Sequence, residues 1–392
     1  MSIQGDMMAK TLICGATSFG YGPIAKLLAI ARVLQSLNYQ LIFLGNGTAL
    51  ELARYFPFEQ CIEYDISNVE HLSDLGIPLE GISGIINVLE PVLAHFAQNM
   101  SLPHFYIDSL FWMWHQIDVH TANADIYFIQ RFPGVEEKLA RWRDSIHNPR
   151  LVGPIVESSD YIPRRDQRGN HIIINYAGLE SGLVDVDRGL LYPYVLTALL
   201  MPILQKSAPF HQKIVFTGNQ RVMFQLEQQF PQRPANVQFT HLSHDAFLKI
   251  LASSSLLVTS PGLTTTYEAF LSGIPVRFLP PQNYSQTLML DYYRREGLAD
   301  ISFHWNDVYA DYAVSSEMEE SVAVRQVLSV IDRFSQDPQA QQQAMGILSD
   351  LLNTPTPPNI PLRQLQFARS MGKLAAHEVA ITIDTALKTI GR

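Results

Sequence analysis

The chain has 392 residues, 47% hydrophobic and 17% charged, which predicts two domains of ordinary size, each with its own core. Its net charge of −9 argues against non-specific nucleic-acid binding, which needs a basic surface, but not against a nucleotide held by local dipoles. Two cysteines, Cys14 and Cys61, are too few for a disulfide framework or a structural zinc site and fit a reducing, cytoplasmic compartment; residues 1–10 lack a signal-peptide pattern, and no apolar run reaches the roughly eighteen residues of a membrane helix.

Residues 11–14 read as a short buried strand, followed by a glycine-rich loop, Gly15-Ala16-Thr17-Ser18-Phe19-Gly20-Tyr21-Gly22-Pro23. From Ile24 to Leu37 the period is helical, with Ile24, Leu27, Leu28, Ala31 and Leu34 on one face. Residues 40–44 make the next strand, so the unit is a right-handed parallel βαβ. The loop lacks the G-x-G-x-x-G spacing, and Asn46 stands where a dinucleotide site needs an acidic residue.

Residues 103–108 form a strand ending in Asp108. Ligands of open α/β sheets bind at the carboxyl ends of strands, so Asp108 is a candidate catalytic base, with Trp112 and Trp114 as an aromatic platform. The competing reading is a capping Asp among core aromatics. His104 lies in an apolar strand and reads as core, while His115 and His120, five apart, do not share a helical face and do not make a metal pair. Another strand is expected at 125–129 and a charged helix at 136–144.

A polar run at 164–170 is expected to be the linker. Strands then follow at 171–175, 213–218, 237–239 and 256–259, with helices at 190–204, 245–251 and 288–296, a proline-rich loop at 354–361 and a helical tail at 364–390. Repeated strand-then-helix order in both halves means two doubly wound parallel sheets.

The most informative segment is Ser260-Pro261-Gly262-Leu263-Thr264-Thr265-Thr266-Tyr267-Glu268-Ala269, then Gly273-Ile274-Pro275 and Pro280-Pro281-Gln282-Asn283-Tyr284-Ser285-Gln286. A strand, a small-residue turn and a helix start rich in hydroxyls make an anion site, because the first N–H groups of a helix lack internal partners and sit at its positive end. Glu268 follows Thr264 by one turn, and a carboxylate there can accept from both hydroxyls of a ribose. Phosphate at the helix start and ribose one turn on describe a nucleoside diphosphate.

This segment resembles the donor motif of GT-B glycosyltransferases, the superfamily of UDP-glycosyltransferases and MurG-like enzymes: a small-residue turn, T-x-x-E-A, G-x-P and P-x-x-x-x-Q in order. The resemblance implies an α/β fold of two Rossmann-like doubly wound domains facing each other across a cleft. Residues 1–160 would bind the acceptor, residues 161–365 the nucleotide sugar, and a final helix at 366–392 would pack back on the first domain. It implies that Glu268 holds the ribose, that Gly262, Thr264 and Thr265 cradle the diphosphate, and that Ser285 and Gln286 meet the sugar. Ser260, Gly178 and Gly218 would lie near the donor, and the loop at His241 would hold the nucleobase through its main chain. Two departures stand out: Ser260 replaces a common histidine, and Ser285 replaces an acidic residue beside the glutamine. Tyr21 stands near the usual histidine base, which leaves it as a second base candidate after Asp108. Short stretches are similar to cytosylglucuronate synthases, where Arg277 would meet a uronate; a strand-edge cation or a phosphate contact is the plainer reading.

The expected activity is a metal-independent, inverting transfer of a sugar from a UDP-sugar to a small-molecule acceptor such as a nucleobase or other secondary-metabolite precursor. The UDP-sugar is a co-substrate, and no further cofactor is expected. The alternatives are a non-hydrolysing UDP-sugar 2-epimerase and a catalytically inactive nucleotide-sugar-binding protein. Asp185 and Asp187 match a D-x-D pattern, but they sit in a glycine-flanked loop with no strand leading in, so they read as solvated rather than as metal ligands.

Overall fold

The computed structural model describes residues 10–64, 72, 75, 77, 80–157, 169, 171–177, 188–206 and 212–390. The chain divides into two compact units, Met1–Glu157 with Met371–Arg392, and Ser158–Ser370.

The first unit holds seven strands: β1 (Thr11–Ala16), β2 (Gln40–Gly45), β3 (Gln60–Glu63), β4 (Ile82–Val88), β5 (His104–Asp108), β6 (Ile126–Gln130) and β7 (Pro149–Val152). They form one parallel sheet in the order β3-β2-β1-β4-β5-β6-β7. The central strands are near-continuous apolar runs because helices cover both faces of such a sheet; β5 and β6 are buried at every position. The helix Tyr21–Ser36 buries Ile24, Leu27, Leu28, Ala31 and Leu34. These residues share a core cluster with Ala375, Val379, Ala380, Ile383 and Leu387, so the last helix, Ala376–Ile390, completes this unit's core. Tyr39 donates to Asp384 at 3.0 Å across the same contact.

The second unit holds β8 (His171–Asn175), β9 (Lys213–Thr217), β10 (Val237–Thr240), β11 (Leu256–Thr259) and β12 (Val276–Phe278). They form a parallel sheet in the order β10-β9-β8-β11-β12. The order reverses between β8 and β11, and the carboxyl ends of these two strands flank the position where open α/β sheets bind ligands. At the outer edge, the buried Gln364 side chain takes the place of a neighbouring strand. Its Oε1 accepts from Val276 N at 3.1 Å, and its Nε2 donates to the carbonyls of Val276 and Leu298, each at 2.9 Å.

Three expected boundaries move. The glycine-rich loop shrinks to residues 17–20, because β1 runs through Ala16 and the helix already starts at Tyr21 after Gly20, whose φ of 152° suits only glycine. The helix expected at 288–296 starts at Tyr284, capped by Asn283. The helical tail is two helices, Asn359–Ser370 and Ala376–Ile390, interrupted where Gly372 takes φ 108°. The expected linker at 164–170 lies outside the described residues apart from Gly169. Among the described residues no helix is long and apolar enough to cross a membrane.

Candidate functional site

The donor-motif residues collect at the carboxyl edge of the second unit's sheet. After β11, Gly262 is the N-cap of the helix Leu263–Leu271 and offers no side-chain cap, as the anion-site reading requires. Thr264 is buried and Thr265 half-buried in the first turn, so of the two hydroxyls that of Thr265 is the more open. Glu268, one turn on, is only 3% exposed. Its Oε1 lies 2.7 Å from Nε2 of His244, the first residue of the helix His244–Ala252.

The β8 end is tied to this helix start. Asn175 donates through Nδ2 to Thr259 Oγ1 at 3.0 Å and accepts from Ala177 N at 3.0 Å. Ala177 is held at φ 58°, a left-handed conformation that costs an alanine about 1–2 kcal/mol. Such strain gathers where a backbone must take a set shape around a ligand. Gly178, the next residue, lies outside the described residues, as do Asp185 and Asp187. Gly218, after β9, packs under the same turn, since a Cβ there would stand 3.1 Å from Ala177 O. The His241 ring reaches the Gly218 carbonyl, with Nδ1 at 3.3 Å. Gly218 and His241, paired here, come from neighbouring strand ends.

Ser260 and Gln282 close the floor. Gln282 donates through Nε2 to Tyr176 O at 2.8 Å and to Ser260 Oγ. Ser285 and Gln286 fall in the first turn of the helix Tyr284–Arg295 and are both buried. Asn283 Oδ1 accepts from Ser285 Oγ at 3.0 Å and from Gln286 N at 2.9 Å, and Gln286 Oε1 accepts from Gln282 N at 2.9 Å. These groups build a helix cap, a task that their place in the motif does not reveal.

Arg277 differs from the reading that aimed it at a uronate. Buried in β12, it donates to Leu351 O at 2.6 Å, to Thr354 O and to Thr356 Oγ1 at 3.0 Å. Its guanidinium gathers the carbonyls at the end of the helix Pro338–Asn353.

In the first unit, Asp108 ends β5 and is wholly buried. Oδ1 accepts from Leu110 N at 2.7 Å, and Oδ2 accepts from Tyr127 OH at 2.7 Å and Trp114 Nε1 at 3.0 Å. Burial pushes its pKa up to about 6 against the opposing pull of these donors. The indole of Trp114 is therefore a strut for Asp108, while Trp112 packs on Phe132 with ring centres 4.6 Å apart. Tyr21 donates to Glu51 Oε1 at 2.6 Å, a partner from the helix Gly47–Ala53. His104 lies 2.7 Å from Asn87 Nδ2 through Nε2, and burial lowers its pKa to about 4, which keeps it neutral. His120 stacks on His95, ring centres 4.1 Å apart.

Sequence reasoning passed over Glu90. It follows β4, next to the β1 end where this sheet's strand order reverses, and Thr17 N donates to Val88 O at 3.0 Å across that point. Leu89 before it is held at φ 58°. Glu90 is buried, accepts from Val92 N at 3.2 Å, and burial raises its pKa to about 7. The Glu90-Pro91 pair is a legible helix-start signal, but nothing in it foretells burial. Among the described residues no group of three or more His, Cys, Asp or Glu side chains is gathered as metal ligands would be.

No protein-family model and no curated protein sequence matches the chain. Solved structures do. The glycotransferase of kitacinnamycin is 12% identical, with 96% of this chain and 98% of that one covered at a TM-score of 0.51. The spinosyn forosaminyltransferase is 10% identical, with 97% and 100% covered at a TM-score of 0.51. At such identities the likeness speaks to architecture, and the architecture is clear: the chain has the α/β fold of the GT-B glycosyltransferases, two Rossmann-like domains each on a parallel sheet.

Proposed function

We propose that the protein transfers a sugar from a UDP-sugar to a small-molecule acceptor, without a metal and with inversion at the anomeric carbon. The observation that carries this reading is the convergence, at one sheet edge, of the uncapped helix start at Gly262, the Thr264 and Thr265 hydroxyls and the buried Glu268 carboxylate. An acceptor O–H attacks the anomeric carbon as the bond to the diphosphate breaks, and UDP leaves with the electron pair. Negative charge grows on the diphosphate at that moment, and a helix N-terminus aimed at it stabilises the transition state more than the ground state.

The ribose falls to Glu268. Gly218 and the main chain at His241 frame the nucleobase end, Ser260 belongs to the phosphate end, and Ser285 and Gln286 face the sugar. For the acceptor proton we assign Glu90, on its burial at the switch point of the first unit's sheet and, among the described residues, a carboxylate held by one backbone donor, Val92 N. Asp108, already surrounded by donors, organises the Trp114 and Tyr127 wall in this reading, and Tyr21, braced by Glu51, hydrogen-bonds the acceptor.

The test is a thermal-shift screen against UDP, TDP, GDP, ADP and NAD. Selective stabilisation by UDP that disappears in Glu268→Ala supports the reading. Absence of a shift with every nucleotide would reduce the helix at Gly262 to an element of the fold.

A further inference from the structure

We infer that His244 is the positioning residue of the donor ribose site. This inference rests on the UDP-sugar reading and deepens it. Glu268 has three rotatable side-chain bonds, and a carboxylate that must receive both hydroxyls of a ribose works only if its plane is fixed beforehand. The helix Leu263–Leu271 alone does not fix it. His244 does so from another element, 24 residues away, with Nε2 at 2.7 Å from Oε1.

Both side chains are nearly removed from water, at 8% and 2% exposure, so the contact is short and well shielded. To donate, Nε2 must carry the ring proton. The bond therefore fixes the carboxylate through one oxygen and leaves its remaining lone pairs for the diol. The placement of His244 is in turn set by its own helix start, where Ser243 caps Ala246 N at 3.3 Å.

A histidine that merely satisfied a buried carboxylate would predict lost stability without any change in how the ribose is sensed. The two roles separate in calorimetric titration of the full chain with UDP and with 2′,3′-dideoxy-UDP. The wild-type protein is expected to prefer UDP by roughly ten-fold or more, the worth of hydrogen bonds to a charged group. His244→Ala should lose most of this preference while its affinity for dideoxy-UDP stays within about two-fold. His244→Gln, which keeps a donor amide, should recover part of it and guards against a variant that fails to fold. The proposal is overturned if His244→Ala keeps the full preference, or if it weakens both nucleotides equally. Failure of the wild-type chain to bind UDP would instead remove the UDP-sugar reading on which the proposal stands.

Discussion

Gly153 lies against Lys373 so closely that a Cβ on the glycine would stand 2.0 Å from the Lys373 carbonyl oxygen. The first unit's outgoing segment and its returning segment thus touch backbone to backbone, and Ala375 N donates to Pro154 O at 3.0 Å beside them. Gly153→Ala should force the two apart. We expect a loss of about 1–3 kcal/mol, as for overpacked cores, read as a drop of several degrees in the thermal midpoint. An unchanged midpoint would show that the segments separate at little cost.

Asp108→Asn tests whether this carboxylate organises or reacts. An amide N–H₂ would face at least one of the donors from Trp114 and Tyr127. An orphaned buried donor costs about 1–3 kcal/mol, so chemical denaturation should show lower stability while UDP affinity holds. A variant as stable as the wild type but with a collapsed kcat would return the base role to Asp108.

Glu90 predicts a pH dependence of two opposite signs. As the proposed base Glu90 must be ionised, so kcat/KM should rise with pH through about 7, and Glu90→Gln should lose that limb and about 10²–10⁴ in kcat. Stability runs the other way. The folded state raises the pKa from 4.5 to about 7, so this group's stabilising contribution is complete below 4.5 and is lost as pH climbs through 7. Denaturation curves of Glu90→Gln between these limits should be flatter against pH than those of the wild type. A retained limb in the variant would assign the proton elsewhere.

Arg277→Met should be costly without touching nucleotide binding. The change strips donors from the Leu351 and Thr354 carbonyls and the Thr356 hydroxyl. A loss of about 2–4 kcal/mol is expected in urea unfolding, with UDP binding unchanged at temperatures where the variant is folded. Selective loss of a uronate-bearing donor would revive the reading of Arg277 as a substrate contact.

Chelation with EDTA should leave transfer activity unchanged if the helix start alone receives the diphosphate charge. A full loss would bring Asp185 and Asp187 back as metal ligands.

The parts of this fold that are legible in the sequence are those written in local pattern. The strand ending at Thr259, the turn at Gly262 and the helix carrying Glu268 each follow from neighbours within a few residues. Ser285 and Gln286 show the opposite case: the motif marks them as a sugar-facing pair, and nothing in it foretells that Asn283 also ties them into a helix cap. The His244–Glu268 pair, the donors on Asp108 and the carbonyls around Arg277 join residues that are distant in the chain. Hydrophobic period does not encode them, and only the folded register of strands and helices brings them within reach.

One amide closes the Val276 end of the second unit's outer strand. An outer strand with open N–H and C=O groups is a template on which another chain can grow a sheet. The Gln364 side chain occupies that template at Val276 with both its donor and its acceptor. It mimics a strand too short to be extended further. Two residues further along, Phe278 O accepts from Phe303 N at 2.8 Å beside the parallel bridge of Phe278 with Ser302, so a side chain and a returning segment share the closing of this edge, and removing the glutamine would reopen the Val276 end to a pairing strand.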